Sequence, residues 1–235
     1  MSNLLRSEDP PLSKGGARVR EQLLEAAGEV FAEKGFQGAT SRDICVRAGV
    51  NLAAVNYHFG GFEALYVATL KEAHRRANPT APFEVDGFKA MSPRDKLRAI
   101  IRNMVARLSE STADSWEMRL VSRELVIPTF AQAEFVATSI EPRRAMLRSV
   151  IGAIMGRPAD DPAVARCVFT VIAPCIMLSI VNRPSLATLL PDIGDPGEGV
   201  NALIDHIERF VFAGLNGAMR DLKKPSTVRR RTKTR

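Results

Sequence analysis

Residues Thr40 to Phe59, TSRDICVRAGVNLAAVNYHF, leave this part of the chain little conformational freedom. Thr40 with Asp43 three residues on is a capping-box pattern, Asp standing where Glu is usual. Ile44, Cys45 and Ala48 make a short apolar face, and Gly49 ends it. Asn51 is placed to cap a second short helix over 52–59, with Val55 turned inward. Two short helices joined by a glycine turn form a helix-turn-helix, whose second helix enters a DNA major groove. Ile44 and Val55 must be apolar to pack the pair, and Cys45 must be small where the helices cross. With Val55 inward, Leu52, Ala53, Asn56, Tyr57 and His58 are left for DNA. Asn56 suits a base edge, the Ala53 methyl a thymine, and the Tyr57 hydroxyl a phosphate.

The flanks read as helices too. Val19, Leu23, Ala26, Ala27, Val30 and Phe31 recur at steps that fall on one helical face, and Gly35 is a C′ glycine. A longer helix is expected over 62–76, with Leu65, Ala68, Thr69 and Ala73 facing in. Pro79, Pro82 and Gly87 mark the domain boundary, and Ser92-Pro93 is an N-cap with proline at the first helical position. Helical patterns recur near 114–126, 129–139 and 142–155. An uncharged helix follows Asp161-Pro162 to about 182, and an apolar one spans 199–217. No strand pattern is found, so the fold class is all-α. The organisation expected is a flexible arm at 1–16, a helix-turn-helix domain at 17–77, a helical body at 78–221 and a basic disordered tail at 222–235.

Charge narrows the function. The net charge of +7 over 235 residues matches the seven basic residues after Leu222, so the rest of the chain is formally neutral. DNA binding by the head must therefore rest on geometry, and the tail could add non-specific affinity through counterion release. Three cysteines, with no CxxC pair, fit neither a disulfide framework nor a cysteine zinc site and suggest a cytoplasmic protein. His58, His74 and His206 lack metal-ligand spacing, and His74 and His206 are expected on helix surfaces. The opening MSNLLRSEDPP has no apolar core of a signal peptide, and the longest uncharged run is too short to span a membrane. No GxGxxG after a strand, Walker loop, GxSxG or HExxH is present, so neither an enzyme nor a cofactor is expected.

The run EAAGEVFAEKGFQGATSRDICVRAGVNLAAVNYHFGGFEALY resembles the DNA-binding domain of TetR-type transcriptional regulators. The order is helix, KGF turn, Thr-capped helix, AGV turn, YHF and an EALY helix, over about 60 residues. The resemblance implies about nine helices, with a three-helix head joined by the fourth to a ligand-binding, dimerising body. It also implies a homodimer on a palindromic operator, acting as a repressor released by a small molecule. By family position Thr40, Ser41 and Arg42 approach phosphate, while Asn51, Ala53, Asn56, Tyr57 and His58 belong to the reading helix. The two helices over 162–182 and 199–217 would build the dimer interface. The ligand pocket would lie among helices four to eight, with Met104, Leu108, Trp116, Phe130 and Met177 as apolar lining and Arg119, Arg123 and Glu124 as polar anchors.

One position departs from the family pattern. Phe62 stands where a phosphate-contacting lysine is usual, so Arg18, Arg47 or the N-terminal arm would have to replace that contact. The competing reading is a helical interaction protein with a degenerate, non-specific DNA-binding head, supported by Phe62 and the near-neutral head.

Overall fold

The computed structural model describes residues 14–77, 87–109, 115–181, 185, 188–191 and 199–223. Among these residues every regular element is helical: α1 (Lys14–Gly38), α2 (Ser41–Ala48), α3 (Ala53–Phe59), α4 (Phe62–Ala77), α5 (Pro93–Ser109), α6 (Trp116–Val126), α7 (Gln132–Phe135), α8 (Glu141–Met155), α9 (Pro162–Ile180) and α10 (Val200–Lys223). A 3-10 turn (Phe88–Ala90) precedes α5, and a π-helical turn (Val136–Ile140) joins α7 to α8. Nine of the helices have seven residues or more, as the all-α expectation of about nine required.

The caps lie where the sequence puts them. Thr40 Oγ accepts the Asp43 N–H at 3.1 Å and opens α2; Ser92 Oγ accepts the Asp95 N–H at 3.2 Å and opens α5. An Asp161 carboxylate oxygen accepts the Ala163 N–H at 2.7 Å and opens α9, with Pro162 at its first position. Gly35 takes φ +72° and breaks the helical path inside α1, and Gly49 closes α2 at φ +67°. Two ends differ from expectation. Lys14, Gly15 and Gly16 are helical rather than part of an arm, and α10 continues through Leu222 and Lys223 because nothing between Gly217 and Lys223 breaks it. The remainder of the expected arm and tail lies outside the described residues.

The chain folds as two compact units. The first is 1–79 together with 115–139; the second is 80–114 together with 140–235. α6 and α7 fall in the same unit as α1 to α4. Side-chain size explains part of this. A Cβ on Gly28 would lie 2.3 Å from the Trp116 ring, so the glycine lets α6 press directly on α1. α1 packs on α2, α4 and α6, and α4 packs on α3, α6 and α7. Leu23, Ala27, Phe31, Ile44, Leu65, Leu70, Ala73 and Leu120 are fully enclosed. His74, expected on the surface, is buried and stands edge-on to Phe135 with centroids 5.6 Å apart; its place on the α7 side of α4 gives it an aromatic neighbour that sequence spacing does not reveal. His206 is exposed as expected.

In the second unit α5 lies against α8, α9 and α10. Leu97, Ile100, Ile101 and Val105 meet Val150 and Ile151 of α8, Val164 and Val168 of α9, and Ile204, Val211 and Leu215 of α10. Each such aliphatic side chain contributes about 1.5–3 kcal/mol by leaving water.

Arg76, at the end of α4, gathers charge in the first unit. It pairs with Glu72 at 2.7 Å, with Glu25 of α1 and with Glu117 of α6 at 3.8 Å, and lies 5.5 Å from the Trp116 ring centroid. The Trp116 indole N–H donates to Glu25 at 2.7 Å. The Glu72 carboxyl is held down to about 2, by the hydrogen-bonded Arg75 first and by Arg76, against the opposing pull of burial. A depressed carboxyl stabilises the fold above its ordinary value of 4.5 and loses that effect as pH falls toward 2. Glu72→Gln should therefore be less stable than the parent at pH 7. The gap should close between pH 4.5 and 2 in denaturant titrations run across that range; a pH-independent gap would assign Glu72 a packing role only.

Candidate nucleic-acid interface

α2 and α3 present one polar and apolar face to solvent because their inward positions are already taken. Ile44 and Cys45 of α2 and Val55 of α3 are buried, and burial pushes the Cys45 thiol above its ordinary range. What remains outward is Thr40 and Arg42 at the start of α2, and Asn51, Leu52, Ala53, Asn56 and Tyr57 in and before α3. Ser41 is half-buried. Tyr57 is 78% exposed, so most of its ring lies open to solvent. Asn51 Oδ1 accepts the Ala53 N–H at 2.9 Å, so this residue caps the turn while its amide stays exposed.

His58 behaves differently from its neighbours. It is half-buried, packs edge-on to Tyr57 with centroids 4.9 Å apart, and its Nδ1 is enclosed without a hydrogen-bond partner among the described residues. It braces Tyr57. Val46, 74% exposed on α2, was not singled out from sequence. The signal was present, since Ile44 and Cys45 both turn inward and their helical neighbour must turn out.

Charge at this face is sparse because the head pairs its own cations. Arg47 forms a fork on Glu33, with both N···O distances 3.0 Å, and reaches Glu29 at 3.4 Å. That fork holds the Glu33 carboxyl below its ordinary value. Arg47 is thus paired within the head while its side chain stays at the surface. Lys34 pairs with Asp43 at 3.0 Å, and Arg20 stacks over the Phe59 ring at 5.1 Å. Arg18 and Arg42 are exposed.

Phe62 has a structural use. Its ring centroid lies 5.4 Å from both Phe31 and Phe36, in a cluster that continues through Tyr66 to Phe130. Beneath the cluster, the fully buried Glu124 of α6 accepts the Tyr66 hydroxyl at 2.7 Å and both the N–H and hydroxyl of Thr129 at 3.0 Å. Burial, with the bond to Glu124, pushes the Tyr66 phenol well above its ordinary value. Glu124, expected as a polar anchor of a ligand pocket, has its carboxyl oxygens bonded to Tyr66 and Thr129.

The other candidate ligand residues divide between the units. In the first, Trp116 is enclosed against Gly28 and bonded to Glu25, Arg119 is exposed, and Arg123 and Phe130 line a cavity of about 380 Å³. In the second, Met104 packs on the core and Met177 lines a shallow apolar cavity between α9 and α10. Leu108 is on α5, with its side chain outside the described residues.

Comparison with known proteins bears on this arrangement. The family model for bacterial regulatory proteins of the tetR family matches residues 23–69. The model for the C-terminal domain of the HTH-type transcriptional dual regulator CecR matches residues 93–215. The HTH-type transcriptional dual regulator CecR of Shigella flexneri is 31% identical over 162 residues, which is 65% of this chain and 72% of that protein. This chain belongs to the TetR family of transcriptional regulators. As a TetR-family protein it is a DNA-binding regulator of transcription and not an enzyme.

Solved structures share the fold. HlyIIR, a hemolysin II transcriptional regulator, superposes with a TM-score of 0.57 at 17% identity, covering 83% of this chain and 97% of that one. A bacterial regulatory protein of the tetR family from Rhodococcus RHA1 gives 0.55 at 22% identity, covering 85% and 98%. Within the TetR-like head, the aromatic cluster accounts for the Phe62 departure. Phe62→Lys should lower stability by about 1–3 kcal/mol in denaturant unfolding, because it removes a half-buried ring. If the family's lysine contact is regained, the log–log salt slope of DNA binding should steepen by about 0.9. Unchanged unfolding would mean that the ring does not support the head.

Proposed function

We propose that this TetR-family chain is a homodimeric repressor that reads a palindromic operator and is released by a small-molecule ligand. The observation that carries the reading is the face left by α2 and α3. Val55 alone of α3 is buried, and a tyrosine, an asparagine and an alanine stand exposed beside it. The residues proposed to touch DNA are Thr40, Ser41 and Arg42 at phosphate, where the N-terminal N–H groups of α2 favour an anion. Leu52, Ala53, Asn56 and Tyr57 would lie in the major groove, with Asn51 and His58 supporting them. Relatives share a regulatory role but differ in sign: CecR is a dual regulator, whereas AcnR of Corynebacterium efficiens and NicS of Pseudomonas putida are repressors. Among the described residues no helix is long and apolar enough to cross a membrane, which is compatible with action on cytoplasmic DNA.

The dimer proposal rests on α9 and α10. Phe169, Met177 and Phe210 stand exposed on these two helices, Phe169 and Phe210 more than three-fifths so. Gly214 and Gly217 leave open space beside them, room for a partner helix to approach closely. A C2 pair places two reading helices at half-sites about one turn of DNA apart.

Selection of fragments from a random DNA library at physiological salt, followed by sequencing, should enrich a palindrome. Tyr57→Ala should weaken binding to that palindrome by roughly tenfold, about 1.4 kcal/mol, with an unchanged melting temperature. Equal affinity would remove Tyr57 from the reading face, and an unenriched library would favour a non-specific head. Phe210→Glu should shift the sedimentation coefficient from dimer to monomer and abolish cooperative operator binding. A mutant that still sediments as a dimer would place the interface elsewhere.

A further inference from the structure

The first unit contains a cavity apart from the proposed DNA contacts and dimer surface. It is about 380 Å³, at the small end of the roughly 300–1,000 Å³ of ligand pockets, and opens among the Lys34–Gln37 turn, α4 and the loop after α6. Phe36, Tyr66, Ile127 and Phe130 give it apolar walls. Tyr66 offers only its ring, because its hydroxyl is given to Glu124. The two cations at the cavity differ. Lys34 is paired with Asp43, whereas the half-buried Arg123 has no hydrogen bond or ion pair to an acid among the described residues. Its guanidinium lies against Gly35, where a Cβ would come within 2.5 Å of it. The apolar walls thus stand beside a guanidinium to which no acid is bonded, with no side chain at position 35 to crowd it.

We propose that this cavity binds a small monocarboxylate with an apolar body, its carboxylate forked on Arg123 and its body on Phe36, Ile127 and Phe130. A planar guanidinium meets a carboxylate through two parallel hydrogen bonds, the strongest pairing open to this side chain. A dianion fits less well, since a single guanidinium without an acid partner faces it and the Glu124 carboxylate lies below. The site deepens the reading of the chain as a ligand-released regulator and rests on it for its effect on DNA. The turn that walls the cavity leads into α2, and its Lys34 holds Asp43 of α2. Occupancy and operator affinity are therefore linked, and by the same factor in both directions.

The test uses the full chain and four probes: phenylacetate, octanoate and the corresponding uncharged amides. Calorimetry should show saturable binding of at least one acid and of neither amide. Arg123→Gln should weaken acid binding about tenfold or more at an unchanged melting temperature, and Arg123→Lys should restore part of it. Ile127→Ser, at an exposed wall position, should weaken the acid without touching its charge partner. The bound acid should change operator affinity of the parent by roughly 5–150-fold. Absence of saturable heat from both acids through the millimolar range overturns the proposal, as does acid binding indifferent to Arg123→Gln. Operator selection without ligand reads the regulator function separately: its failure alongside Arg123-dependent acid binding would leave the cavity assigned and the DNA reading lost.

Discussion

A carboxylate with no exposure to water must find its hydrogen bonds inside the protein, and Glu124 finds three. They come from Tyr66 on α4 and from the backbone and side chain of Thr129 beyond α6. Removing a buried charged group's partner costs more than the bond itself contributes, because the charge is left unsolvated. The loop from Ile127 to Phe130 is thereby fixed beneath α4. Phe130 then reaches Phe36, and Phe36 reaches Phe62, so the turn into α2 inherits its position from a residue on α6. The helix-turn-helix is thus held from below as well as by its own Ile44 and Val55.

This arrangement explains why α6 and α7 fold with the head. Gly28 lets the Trp116 ring come within contact of α1, and Glu25 then serves both the indole N–H and Arg76. α1 is gripped on one side by α4 and on another by α6. Any rearrangement of α6 must break either the Glu124 bonds or the Arg76 network, both of which end on helices of the DNA-reading head. Coupling of this kind needs no long wire; it needs two packed elements that share polar groups.

What was legible in the sequence is what depends on neighbours three or four residues away. The Thr40 and Ser92 caps, the αL turn at Gly49, the inward Val55 and the outward Tyr57 follow from local pattern, and so does the all-α class. What was not legible depends on partners far along the chain. Arg47 read as a spare cation because Glu33 and Glu29 lie 14 and 18 residues before it. Phe62 read as a missing contact because Phe31, Phe36 and Phe130 are spread over a hundred residues of sequence. His74 read as surface because its aromatic neighbour Phe135 is 61 positions later. Arg123 and Phe130 were named as ligand candidates, but no pattern could place them on the Lys34–Gln37 turn.

The near-neutral head then acquires a physical sense. Lys34 and Arg47 pair with Asp43 and Glu33, which ties α1 to α2 and balances two of the head's cations at its surface. A head built this way has little to offer phosphate beyond Arg42, Arg18 and the N–H groups after Thr40. Affinity that does not come from counterion release has to come from shape and base-edge contact, which favours discrimination over non-specific binding. A basic stretch placed outside the head, after Leu222, can raise overall affinity without blurring that discrimination, because its contribution is nearly the same on every sequence.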